Sequence, residues 1–221
     1  GDLACLDCHA AHASGEKGLL RTGAHAPVAA GECGSCHEMD AGKPTAKLVA
    51  TVPELCVTCH GDKAGLDKKA HPHPPAAGGE CLSCHDPHRG GNGALLKDKP
   101  LELCGACHDD LARAAKEPVV HQAFADGRCA SCHEQHGSEN PKLVKTTDGS
   151  MCLNCHGDLA KRLEAGVGVH APAAKKDCLR CHTPHSGGEG HLLRRDERSL
   201  CLSCHSGLEK ALAGQEVHPP F

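Results

Sequence analysis

The 221 residues include no tryptophan and no tyrosine, and only two phenylalanines and two methionines. A chain of this length ordinarily closes a core of large apolar side chains, and this one has too few to do so. No apolar run is long enough to span a bilayer. No run of lysine or arginine exceeds two residues, which argues against a basic groove for nucleic acid. With 26 glycines and 14 prolines the composition borders on that of a disordered chain, so something other than side chains must supply the apolar mass.

What the sequence has in excess is cysteine. All 18 fall into nine copies of Cys-x-x-Cys-His: Cys5, Cys8 and His9; Cys33, Cys36 and His37; Cys56, Cys59 and His60; Cys81, Cys84 and His85; Cys104, Cys107 and His108; Cys129, Cys132 and His133; Cys152, Cys155 and His156; Cys178, Cys181 and His182; and Cys201, Cys204 and His205. Nine cysteine pairs cannot all combine into four-cysteine zinc sites without one left over. A disulfide scaffold gives no reason for a histidine after every second cysteine. Cys-x-x-Cys-His is the attachment signal for haem c, with two thioether bonds to the porphyrin and the adjacent histidine on the iron. Nine covalent haems would then be the core, and the expected fold is mostly irregular, with short α-helices, little or no β-structure and an elongated, haem-cored array. The formal charge of −4 becomes more negative once haem propionates are added, and these give the 24 Lys and Arg residues partners.

Motif spacing carries a second message. First cysteines are separated by 28, 23, 25, 23, 25, 23, 26 and 23 residues, so the motifs at 33, 81, 129 and 178 recur every 48 or 49 residues, as do those at 56, 104, 152 and 201. This predicts two-haem repeats stacked on their neighbours over 51–221, behind an irregular cap at 1–50 that holds the first two motifs, all in one continuous domain. The motifs at 81, 129 and 178 continue as CHDPH, CHEQH and CHTPH and close on Leu-Leu-Lys, Leu-Val-Lys or Leu-Leu-Arg. Those at 104, 152 and 201 run into good helix formers, which predicts helices of about three or four turns. The second motif departs, with Asp40 where a trailing histidine would stand.

Nine of the 20 histidines are the proximal ligands, and nine others fall in register. His25, His73, His121, His170 and His218 lead in, the first four eight residues before a first cysteine; His12, His88, His136 and His185 trail a proximal histidine by three. These nine are the distal-ligand candidates. A trailing histidine lies on the same side of the porphyrin as its own proximal ligand, so it must serve a neighbouring haem. His71 and His191 fit neither pattern, and units aligned to His191 carry Ala94 and Lys142 instead, so both read as surface residues. Met39 and Met151 lie too near their own motifs to arch over the far face of a haem. The ligand set is therefore bis-histidine, which implies low potentials.

On these motifs the chain resembles the multihaem c-type cytochromes with doubled Cys-x-x-Cys-His motifs, which move electrons across cell envelopes and whose relatives include filament-forming extracellular cytochromes. The resemblance implies covalent haem c, bis-His iron, closely stacked haem pairs and other redox proteins or other copies as partners. An electron conduit without catalysis is the expected function, exported to the periplasm or the cell exterior, with an export signal removed or left out ahead of Gly1. The alternative is a multihaem reductase of the nitrite or hydroxylamine type, which needs an open iron, often marked by a lysine in the motif or a nearby tyrosine; neither is present. A scaffold or an iron store leaves the ligand spacing unexplained. The termini also suggest head-to-tail copies or a longer array: His218 is a lead-in with no motif behind it, and Cys5 of a following copy would fall at its eighth position. The competing assignment puts His218 on the haem at His205 of its own chain, at the 13-residue separation shared by His60 and His73.

Overall fold

The computed structural model describes residues 9–12 and 23–208, so Cys5, Cys8 and His218 lie outside the described residues. Contacts divide the chain into two units: Gly1–Cys104 with His133–Lys145, and Gly105–Cys132 with Thr146–Phe221. Both are built from short helices, single 3-10 turns and two-stranded ladders, joined by irregular chain.

The lead-in segment sets the first local rule. His25, His73, His121 and His170 each occupy the N-cap of a one-turn helix, Ala26–Ala30, Pro74–Ala77, Gln122–Ala125 and Ala171–Ala174, with extended ψ between 116° and 142°. Proline at the start of three of them supplies a fixed φ where no N–H is needed. The helix and the turn after it use up the eight residues to the first cysteine. That cysteine then opens a single turn, Cys33–Ser35, Cys81–Cys84, Cys129–Ser131 or Cys178–Arg180.

The other motifs sit at the C-terminal ends of helices, Val52–Cys59, Pro100–Gly105, Ser150–Leu153 and Glu197–Leu202. The helices expected after them are shorter than three turns: Asp109–Ala114 has six residues and Gly157–Ala165 nine. Pro118 and Gly166 explain the stops, since the residue before a proline leaves the helical region and glycine disfavours continuing a helix. The third lies mostly outside the described residues.

The strands are small. His37–Asp40 and Lys43–Leu48 form an antiparallel hairpin across Ala41 and Gly42, both at positive φ (47° and 78°), as a twist-matched two-residue turn requires. His71–Pro72 pairs with Gly137–Ser138, and Val119–Val120 with Ser186–Gly187. The apolar interior is nearly absent: among the described residues, Phe124, at 7% exposed, is the one buried hydrophobic side chain. Among the described residues no helix is long and apolar enough to cross a membrane.

Candidate haem sites

The proximal histidines of the first motif class share one construction. Nδ1–H of His85, His133 and His182 donates to the carbonyl nine residues on, that of Ala94, Lys142 and His191, at 2.8, 2.9 and 2.9 Å. An acceptor at Nδ1 fixes the tautomer, leaves the Nε2 lone pair for iron and raises its basicity. The carbonyl is aimed by two consecutive left-handed residues, Ala94 and Leu95, Lys142 and Leu143, or His191 and Leu192, with φ between 44° and 58°. Non-glycine residues resist that region by about 1–2 kcal/mol each, so the turn depends on bonds to its neighbours. Asp86, Glu134 and Thr183 N–H donate to the carbonyls of Leu95, Leu143 and Leu192 at 2.9, 2.7 and 2.8 Å. The closing cation finishes the lock: Lys97 Nζ donates to the Leu82 carbonyl, and Arg194 Nη1 to that of Leu179 at 2.8 Å, each acceptor lying between the two cysteines of its motif.

This turn accounts for His191. Its side chain is exposed while its backbone carbonyl orients His182, which is why alanine and lysine serve equally at the aligned positions. His71 is likewise exposed and acts through its backbone, paired opposite Ser138. His37 differs from its class. The hairpin replaces the nine-residue turn, and its buried Nδ1 has no hydrogen-bond partner.

The anchoring cysteines divide along the same line. Among the described residues no disulfide joins any of them. The second cysteine is half-buried in the first class, at Cys36, Cys84, Cys132 and Cys181, and exposed in the second, at Cys59, Cys107, Cys155 and Cys204. The reason is local. In the first class the chain folds back over the motif, with Lys97 and Arg194 N–H donating to the carbonyls of Cys84 and Cys181 at 3.0 and 2.9 Å. In the second class the chain instead runs on into the next short helix, as at Asp109–Ala114 and Gly157–Ala165, leaving the cysteine open.

The distal side is formed by facing imidazoles. His25 stands opposite His60 with ring centres 6.1 Å apart, His37 opposite His88 at 5.8 Å, His85 opposite His136 at 6.0 Å, His121 opposite His156 at 6.2 Å and His170 opposite His205 at 6.0 Å. A six-coordinate iron needs a metal–nitrogen bond of about 2 Å on each side and roughly 1 Å from each nitrogen to its ring centre, which totals about 6 Å. The five pairs therefore fit haem iron, with the porphyrin supplying the other four ligands. Among the described residues no three His, Cys, Asp or Glu side chains converge as a bare metal ion would need.

Two intervals govern these pairs. A lead-in histidine faces the second-class proximal histidine 35 residues later, and a trailing histidine faces the first-class proximal histidine 51 residues earlier. In the sequence, 35 residues also separate His73 from His108. His205 is faced by His170, and His218, the other histidine assigned to it, lies outside the described residues. His12 is exposed, and neither it nor His182 has an imidazole facing it among the described residues. His185 packs on Phe124, with ring centres 4.9 Å apart.

Neighbouring sites are tied together by backbone and by cysteine. His25, His73 and His121 N–H donate to the carbonyls of His88, His136 and His185 at 2.9, 3.4 and 2.8 Å. The Cys56 thiol lies beside that of Cys81, and the Cys152 thiol beside that of Cys178. Burial, then the neighbouring thiol, pushes Cys152 up to about 11 and Cys56 in the same direction. With haem attached these sulfurs are thioethers, so their closeness brings the edges of consecutive porphyrins together. Burial also lowers His121 and His136, which keeps both imidazoles neutral and able to ligate.

No curated protein matches the chain. The family model described as the doubled CXXCH motif matches four times, at residues 25–65, 73–113, 121–161 and 170–210. Each match opens on a lead-in histidine, and together they hold eight of the nine motifs. The first begins at His25, inside the segment 1–50 that sequence alone set apart. With facing imidazoles set for covalently bound haem c in stretches that make up most of its length, the chain belongs to the doubled CXXCH motif family and is a multihaem c-type cytochrome of electron transfer.

Proposed function

We propose that the chain carries nine haems, one on each motif, and acts as an electron conduit without catalysing a reaction of its own. The observation that carries this reading is the set of five imidazole pairs at 5.8–6.2 Å, since an iron held between two histidines has no position left for a substrate. Bound haem supplies reversible one-electron chemistry at low potential when both axial ligands are imidazole. The chain's contribution is spacing. Backbone bonds such as His25 to His88 and cysteine contacts such as Cys56 to Cys81 hold successive porphyrins near enough for electrons to tunnel between them.

The cofactor supports a location in the periplasm or beyond the cell, because haem c is attached outside the cytoplasm. Repeats that lend ligands to one another suit growth into a filament of copies, with electrons passing along the row. Intact mass and optical spectra test the proposal. The expected mass is that of the chain plus nine haems, and the spectrum of the assembled protein is low-spin, unchanged by carbon monoxide after reduction. A mass with fewer haems refutes the count. Carbon monoxide binding at even one iron of the assembled protein favours the reductase alternative.

A further inference from the structure

The stretch between His60 and the lead-in His73 is built differently from its counterparts. After His108 and His156 the chain forms the helices Asp109–Ala114 and Gly157–Ala165; after His60 it forms two single 3-10 turns, Gly61–Lys63 and Leu66–Lys68. Gly65 separates these turns at φ 72°, a left-handed conformation that a continuing α-helix does not accommodate. The third residue after the proximal histidine departs as well. Leu111, Leu159 and Leu208 hold that place in the other repeats, and Lys63 holds it here.

Both turns lie against the segment that carries His136. His71–Pro72 pairs with Gly137–Ser138, His73 N–H donates to the His136 carbonyl at 3.4 Å, and Lys69 Nζ reaches Glu139 at 3.0 Å. Between them is a cavity of about 320 Å³, lined by His136 and by Lys63, Lys69 and Lys145 against Asp62, Glu134 and Glu139. The charges balance in number but not in placement. Lys63 pairs with Asp62, yet the Lys63 side chain is 43% exposed and that of Asp62 67%, so water screens the carboxylate more than the ammonium. After burial, the Lys63 charge is the largest cause that lowers the His136 imidazole, and Asp62, acting the other way, does less. A cation that disfavours a proton on His136 disfavours ferric iron bonded to it for the same reason, since either adds positive charge at that ring.

We infer that Lys63 raises the reduction potential of the iron held between His85 and His136. This deepens the conduit reading and rests on that facing pair, whose ring centres are 6.0 Å apart. It gives one haem of the row a charge where the other repeats carry leucine, so an electron rests there longer than it would beside an apolar side chain. His60 is nearer to Lys63 in the chain, but it is His136 that shares the cavity with it.

The test is potentiometry of the full haem-loaded chain with signals assigned to each iron, His136→Ala identifying the relevant one by turning it high-spin. At the wild-type midpoint of that iron, Lys63→Leu should lower its ratio of reduced to oxidised form about threefold. Lys63→Arg should restore the ratio and Asp62→Asn should raise it, with every iron low-spin in all three variants. The Lys63→Leu shift should shrink as salt is added. No shift in Lys63→Leu, an equal shift at every iron, or a larger one at the His60 iron overturns the inference. If His136→Ala opens an iron other than that of His85, or none, the pairing beneath the inference fails and the inference fails with it.

Discussion

The backbone N–H of His25 donates to the carbonyl of His88 at 2.9 Å, although the two side chains face different proximal histidines. His25 faces His60 and His88 faces His37, so one hydrogen bond clamps the distal ligands of both haems in the first repeat. The His73–His136 and His121–His185 bonds repeat it. A shift at one distal ligand is therefore felt at a second iron, which is how a chain without an apolar core keeps its cofactors in fixed relation.

His88→Ala should open the haem attached at Cys33 and Cys36, not the one attached at Cys81 and Cys84 beside which it lies in sequence. Magnetic resonance assignment of the resulting high-spin iron checks this. A high-spin iron on His85 would mean that the 51-residue pairing is wrong. His71→Ala and His191→Ala should leave every iron low-spin, because both positions act through their backbones.

Lys142 sits at φ 56° and lends only its carbonyl to His133. Lys142→Gly should stabilise the chain by about 1 kcal/mol, by removing the cost of a left-handed side chain. Lys142→Pro fixes φ near −65°, swings the carbonyl away and should lower the midpoint while perturbing the His133 haem. Thermal melts followed in the Soret band distinguish the two; equal midpoints would show that the turn carries no strain.

The iron at His37 should titrate at a more positive potential than those at His85 and His182. Its imidazole lacks the Nδ1–H bond to a carbonyl that makes the other two more basic and favours ferric iron. Potentiometry with site-assigned spectra measures the order, and a His37 iron at or below the other two would contradict it.

Phe124→Ala should cost about 3 kcal/mol, at the low end for a buried phenylalanine, because it removes the packing that positions His185. Withholding haem has a larger consequence. With so little buried apolar surface, the haem-free chain should lack a cooperative unfolding transition, and calorimetry showing a sharp one would place the core in the polypeptide.

Acid should destabilise the protein before its carboxylates protonate. Burial depresses His121 and His136 in the folded chain, so an unfolded chain, with histidines near about 6.5, binds the proton first. Stability is full above that value and falls as pH drops through it toward the lower folded values. Denaturation midpoints measured between about pH 8 and 5 should decline, and iron ligation of the same imidazoles acts in the same direction.

The motifs, the two classes and the register of lead-in and trailing histidines were all legible in the sequence, because covalent chemistry fixes residue identity at those positions. Which histidine faces which was not. A 35- or 51-residue interval leaves no local pattern, and several spacings recur equally in a periodic chain. His191 was read as a surface residue and its side chain is exposed, but its carbonyl role could not be read, because a role carried by a carbonyl leaves no signature in the side chain and alanine or lysine fills it as well. The Leu-Leu-Lys and Leu-Leu-Arg closures were visible as text, but their bond to the middle of the Cys-x-x-Cys loop depends on two left-handed residues that leucine and lysine do not advertise. The same closure decides that Cys181 is half-buried while Cys107, Cys155 and Cys204 are open, a difference that nine identical motifs conceal. The helices fell short of expectation because Pro118 and Gly166 outweighed the propensity of the residues before them.

The closeness of Cys56 to Cys81 and of Cys152 to Cys178 bears on how the molecule is made. Each pair joins thiols that belong to different motifs. Were the bare chain to reach this arrangement under oxidising conditions, those sulfurs would be the first to couple, and a cross-motif disulfide would bar two porphyrins at once. The final shape is thus hazardous to its own precursor. Maturation has to run in the opposite order from most folding, with each cysteine pair alkylated by its porphyrin while the chain is still open and collapse coming afterwards.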